Sequence, residues 1–135
     1  MIPLTYILLR PEFAESDNNH FDALPQKEKN EYYTREQLCE RTGIADWPEF
    51  DVQKFHRHVI GPEEDYEIIL HFRKSLTKAQ IGNLESLCER GKWHRRDDGY
   101  RKVGTDREEE AYNMARYDVF VHPKERTLVI RGESY

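Results

Sequence analysis

Apolar residues along this chain recur with two periods, one of two residues and one near 3.6. "DYEIILHF" (Asp65 to Phe72) is almost continuously apolar, which marks a central strand. In "DVFVHPKERTLVIRG" (Asp118 to Gly132), Val119 and Val121, then Leu128 and Ile130, repeat at every second position and predict a hairpin. "PLTYILLR" (Pro3 to Arg10) reads as a first strand, closed by Pro11. Helical spacing governs "LTKAQIGNLESLCERG" (Leu76 to Gly91). Ile81, Leu84, Leu87 and Cys88 form one stripe there, Thr77 and Gln80 make a capping box, and Gly91 stops the helix. "TREQLCERTG" has the same punctuation in Thr34, Gln37 and Gly43. "DREEEAYNMARY" (Asp106 to Tyr117) predicts a third helix, with Asp106 and Glu109 as its box and glutamates complementing its dipole. In "KWHRRDDGYRKV" the Asp98-Gly99 pair signals a tight hairpin. The polar run from Glu12 to Asn30 reads as a long surface loop.

One stretch, "KFHRHVIGPEEDYEIILHFRK" (Lys54 to Lys74), begins ambiguously. A helix over Val52–Ile60 has good ends: Asp46 and Glu49 as a box, Gly61-Pro62 as a stop. His56 and His58 would then point apart, since two residues turn through about 200°. The composition favours a strand: Val, Phe, Ile and His dominate, and Ala and Leu are absent. Matching apolar with apolar pairs Phe55 with Phe72 and Val59 with Ile68, through a turn at Pro62 to Asp65. That register sets His56 opposite His71 and puts Lys54, His56, His58, His71 and Arg73 on one face, with Arg57 as the misfit. The resulting order of strands and helices is that of an α+β fold with a ferredoxin-like split βαβ core. Its antiparallel or mixed sheet has helices on one face, and a C-terminal helix and β-hairpin extend it.

Composition sharpens this picture. The 135 residues suit a single domain, and charged residues make up 35% of them. The net charge of −5 is unevenly spread. Residues 1–50 carry five Lys/Arg against ten Asp/Glu, 51–103 eleven against nine, and 104–135 five against seven. The acidic total argues against non-specific DNA binding, while the middle segment, with four of the six histidines, is able to form a basic patch. Cys39 and Cys88 lack partners at metal-ligand spacing and read as buried thiols. The apolar start is too short for a membrane span and lacks the parts of a signal peptide, so the expected location is cytoplasmic.

The candidate chemistry is sparse. Two histidines flanked by Lys54 and Arg73 have the parts for metal-free phosphodiester cleavage, with His56 and His71 as the acid–base pair. His56, His58 and His71 are also imidazoles of the kind that bind zinc, copper or nickel. The bland reading, a solvated sheet face, has the larger weight, because H-R-H alone specifies nothing. Trp93, Arg95, Arg96 and Arg101 interleave basic and aromatic character near a hairpin tip, as nucleic-acid-binding surfaces do. Tyr6, Tyr66 and Phe72 lie where RNA-recognition sheets stack bases, yet the basic-glycine-aromatic signature is missing and Glu63, Glu64 and Asp65 stand beside them. "LCERTGI" fits the start of a helix-turn-helix, but acidic Asp46, Glu49 and Asp51 would meet the phosphates. There is no glycine phosphate loop, nucleophile elbow, zinc-protease motif or calcium loop, and no cofactor is implied. The function expected from the sequence is a small non-catalytic binding protein of adaptor, inhibitor or immunity type. It would engage a protein partner through an open sheet face and hairpin tips, and the acidic N-terminal region would suit a basic one. A nucleic-acid or nucleotide-phosphate binder is the alternative.

Overall fold

The computed structural model describes residues 20–61, 63–107 and 114–134. Its elements are α1 (Gln26–Lys29), a 3-10 turn (Asn30–Tyr32), α2 (Arg35–Thr42), β1 (Phe50–Ile60), β2 (Glu63–Phe72), α3 (Lys78–Glu89), β3 (His94–Arg96), β4 (Gly99–Arg107), β5 (Met114–His122) and β6 (Thr127–Ser134). The six strands form one antiparallel sheet in the order β1-β2-β6-β5-β4-β3. β1 and β2 are a hairpin, β3 to β6 are a meander, and β6 returns to pair with β2. α3 carries the chain from β2 to the far edge of the sheet. The architecture is α+β.

The helices form where their caps predict. Thr34 and Thr77 each accept from the backbone N–H three residues on, and Gln37 and Gln80 close the boxes. Gly43 ends α2 at φ 74°, in the left-handed region that favours glycine. Leu84 of α3 and Leu38 of α2 are buried against the sheet face made by Val52, Ile68, Leu70, Phe72, Leu128, Ile130, Val119 and Val121. Trp47 stacks on Phe72 at 5.7 Å and 8°, and its indole N–H donates to Thr42 Oγ1 at 2.9 Å, which satisfies a buried polar pair.

Several expectations need correction. The ferredoxin-like core is not what the described residues show. In that pattern the first strand lies beside "DYEIILHF"; here β6 takes that place, and residues 3–10 lie outside the described set. Residues 20–23 are helical and α1 follows, so this part of the expected loop is ordered. Phe21 is the cause: it is fully buried and meets Tyr32 edge-on at 4.9 Å. The helix expected from Asp106 does not start there. Thr105 to Arg107 pair with Arg116 to Met114 as strands, and residues 108–113 lie outside the described set. The period-two pattern of Tyr117, Val119 and Val121 outweighs the cap-like acidic run, because its side chains enter the core. Finally, the turn of the β3–β4 hairpin is Asp97-Asp98, with Gly99 already in β4. A Cβ on Gly99 would collide with the Val121 carbonyl, so glycine is required by close approach rather than by the turn.

Leu84 is 1% exposed. Leu84→Ala is expected to cost about 2–5 kcal/mol, and Thr77→Ala about 1 kcal/mol, in urea denaturation. Equal losses from the two would contradict the placement of α3 on the core.

A candidate binding trough on the open face

β1 is extended, so the histidine question turns on register. The chain reverses between Ile60 and Glu63, with Gly61 at φ 58°. Phe50 pairs with Phe72 and Phe55 with Ile68, with a bulge between Val52 and Lys54. His56 therefore lies across from Glu67, and His71 across from Asp51. The expected His56–His71 pairing is absent. The two are separated by four residues along the sheet, about 13 Å at strand rise. The slip is even-numbered past the bulge, so it keeps the face. Lys54, His56, His58 and His71 do lie on the side away from the helices. The tight Gly61 turn decided this over apolar matching, and it sets Val59 opposite Glu64. Arg57, the expected misfit, lies within β1 on the face that carries the helices and pairs with Glu64.

Register through β2, β6, β5 and β4 fixes what surrounds the histidines. One row across the strands reads His56, Glu67, Arg131, Asp118, Val103, an alternation of basic and acidic groups. The next row reads Lys54, Ile69, Val129, Phe120, Arg101, an apolar centre between cations. Glu67 accepts from Lys54 Nζ at 2.5 Å and from Arg131 Nε at 2.6 Å. The Lys54 ammonium, and after it the Arg131 guanidinium, hold the Glu67 carboxyl below its ordinary range. Arg101 Nε pairs with Asp118 at 3.0 Å.

The first row and Arg101 line a hollow of about 590 Å³, with His58, Asp65 and Arg116 beside them. A second hollow of about 250 Å³ continues it past Phe120, Val129 and His122 to Asp98. Asp118 and Arg131 line both, so the two form one trough across the open face. Its floor is partly apolar and its walls carry both signs of charge.

The remaining candidate residues are dispersed. Arg73 lies just past β2 and is tied to Asp51 at 2.9 Å, away from the trough. Trp93 is 1% exposed and belongs to the core, so it does not join the arginines at a surface. Arg95 pairs with Glu85 of α3, and Arg96 is exposed at the sheet edge. Arg101 lines the larger hollow, while Arg95 and Arg96 line a neighbouring one together with Asp97, Asp98 and Phe120. Phe72 is core, while the Tyr66 ring fills the place of a Cβ on Gly132; Tyr6 lies outside the described residues. The second half of the helix-turn-helix reading is strand. Burial pushes the Cys88 thiol up. Among the described residues no three metal-ligating side chains are grouped, and no helix is long and apolar enough to cross a membrane.

Arg116, Asp118, Phe120, Val129 and Arg131 were missed from sequence although the signal was present. They are the outward positions of the same period-two strands whose inward members identified the hairpin. No protein-family model, curated protein or solved structure matches this chain.

Glu67 supplies a pH test. Its depressed carboxyl contributes stability that is present above its ordinary value of 4.5 and is lost as pH falls through the lower folded-state value. Glu67→Gln should remove about 1 kcal/mol at pH 7 and flatten the acid limb of the stability profile below pH 5, about the upper end for an exposed pair. An unchanged acid limb would show that the Lys54–Glu67–Arg131 triad carries no stability.

Proposed function

We propose that this protein is a non-catalytic binding protein that holds a segment of a protein partner in the trough of its open sheet face. The observation that carries the reading is the division of the sheet. One face is sealed by helices and aromatic rings. The other, among the described residues, is uncovered and hollowed, with an apolar floor and charges of both signs. Such a surface suits an adaptor, inhibitor or immunity-type protein, whose partner contributes side chains to an apolar centre and polar ones to a rim.

Two features weigh against a nucleic-acid or phosphodiesterase reading. His56 and His71 do not face each other, so no acid–base pair spans a single phosphate. Asp65, Glu67, Asp118 and Glu133 line the same hollow as the arginines, and a phosphate chain would meet them.

The test is affinity capture from native cells using the wild-type chain and a Phe120→Ser/Val129→Glu double variant, with proteins and nucleic acids identified in the same eluate. Phe120 and Val129 are partly buried but lie on the face away from the core, so the variant should keep its fold by circular dichroism and lose the partner at least tenfold. A partner retained at full affinity would overturn the reading. So would an eluate of nucleic acid whose binding collapses between low and moderate salt.

A further inference from the structure

At the far end of the trough one polar atom has no hydrogen-bond partner. His122 Nδ1 is buried and unbonded among the described residues, and Asp98 Oδ2 lies 3.6 Å away. The ring cannot turn away freely, because it stacks on Phe120 at 4.3 Å and 24°. Asp98 belongs to the two-residue turn joining β3 and β4 and is 70% exposed. That turn is lightly held, since β3 is a three-residue edge strand paired only with β4. His122, Asp98, Phe120 and Val129 line the same hollow.

We propose that His122 is a proton-operated latch that draws the β3–β4 turn down over this end of the trough. A neutral imidazole either turns its Nδ1 lone pair toward the Asp98 carboxylate or, with its proton on Nδ1, offers it only an uncharged donor. An imidazolium donates from Nδ1, and a charge-assisted bond contracts to about 2.8 Å. The charged groups that share the hollow with His122 are Asp98 from the turn, Asp118 from its own strand and Arg131 from β6, and Arg95 and Arg96 of β3 with Asp97 share a neighbouring hollow with Asp98. Asp118 is paired with Arg101 and Arg131 with Glu67, which leaves Asp98 as the carboxylate free to respond. Histidine changes charge between pH 5 and 8, so the latch closes on acidification. That closure narrows the trough for a partner rests on the binding reading above; the latch itself does not.

The test uses the free, full-length protein and needs no partner, so its failure and that of the binding reading are distinguishable. Amide hydrogen exchange is followed by NMR at pH 5.5 and pH 8, with the α2 C-terminus as the reference for intrinsic rate. The expected result is a two- to fivefold rise at pH 5.5 in relative protection of the Asp97, Asp98 and Gly99 amides, about what an exposed ion pair supplies. The rise should vanish in Asp98→Asn, which keeps the turn, and in His122→Gln. An equal ratio at both pH values in the wild type would overturn the latch. So would a rise that persists in Asp98→Asn.

Discussion

The whole sheet depends on β6. It hydrogen-bonds to β2 on one side and β5 on the other, and without it the chain would hold a separate hairpin and a separate meander. Leu128 and Ile130 are the reason it stays. Leu128 pairs with Leu70 and Val121, Ile130 with Ile68 and Val119, and all six are at most 5% exposed. Each buried aliphatic contributes about 1.5–3 kcal/mol relative to exposure, so these two rows dominate the stability of the join. A one-residue slip of β6 would turn Thr127, Val129 and Arg131 inward instead, taking the Arg131 charge away from Glu67 and into an apolar core.

The same register that buries one set of β6 side chains displays the other. Val129 and Arg131 lie between Ile69 and Glu67 on β2 and Phe120 and Asp118 on β5. The trough is therefore not an appendage on the fold. It is the outward half of the interaction that closes the core, and any substitution that moved β6 would change both faces at once. This coupling explains why the functional reading rests on a face rather than on a motif. On the proposed reading, binding would spread over short-range charge pairs and a central apolar strip, with its energy concentrated around Phe120 and Val129.

Much of this was legible in the sequence where the cause is local. Thr34 with Gln37, Thr77 with Gln80, and Gly43 punctuate helices by satisfying nearby backbone groups, and they did so as expected. The strand at Val52–Ile60 and the terminal hairpin followed from composition and period. What failed was non-local. No local rule says that β6 should lie beside β2, and apolar matching misjudged the β1–β2 register because a Gly61 turn brings Val59 to Glu64. Asp106 looked like a helix cap because its sequence neighbourhood is acidic, yet Thr105 to Arg107 pair with Arg116 to Met114 in the sheet. Trp93 looked like a surface aromatic because its neighbours are basic, yet it fills the core at 1% exposure while Arg95 and Arg96 stay outside. Of the trough, the histidine face was visible and its partners were not, because only their inward neighbours were read.

The central claim is that the sheet works through its open face. Hydroxyl-radical footprinting of the protein with and without its captured partner addresses it most directly, because it reads side chains. The account predicts that the partner shields His56, His58, Phe120 and His122 while leaving Tyr32 and Cys39 on the helical side unchanged, with Trp47 and Trp93 protected throughout. Shielding of Tyr32 and Cys39 with full reactivity retained at Phe120 and His122 would contradict it.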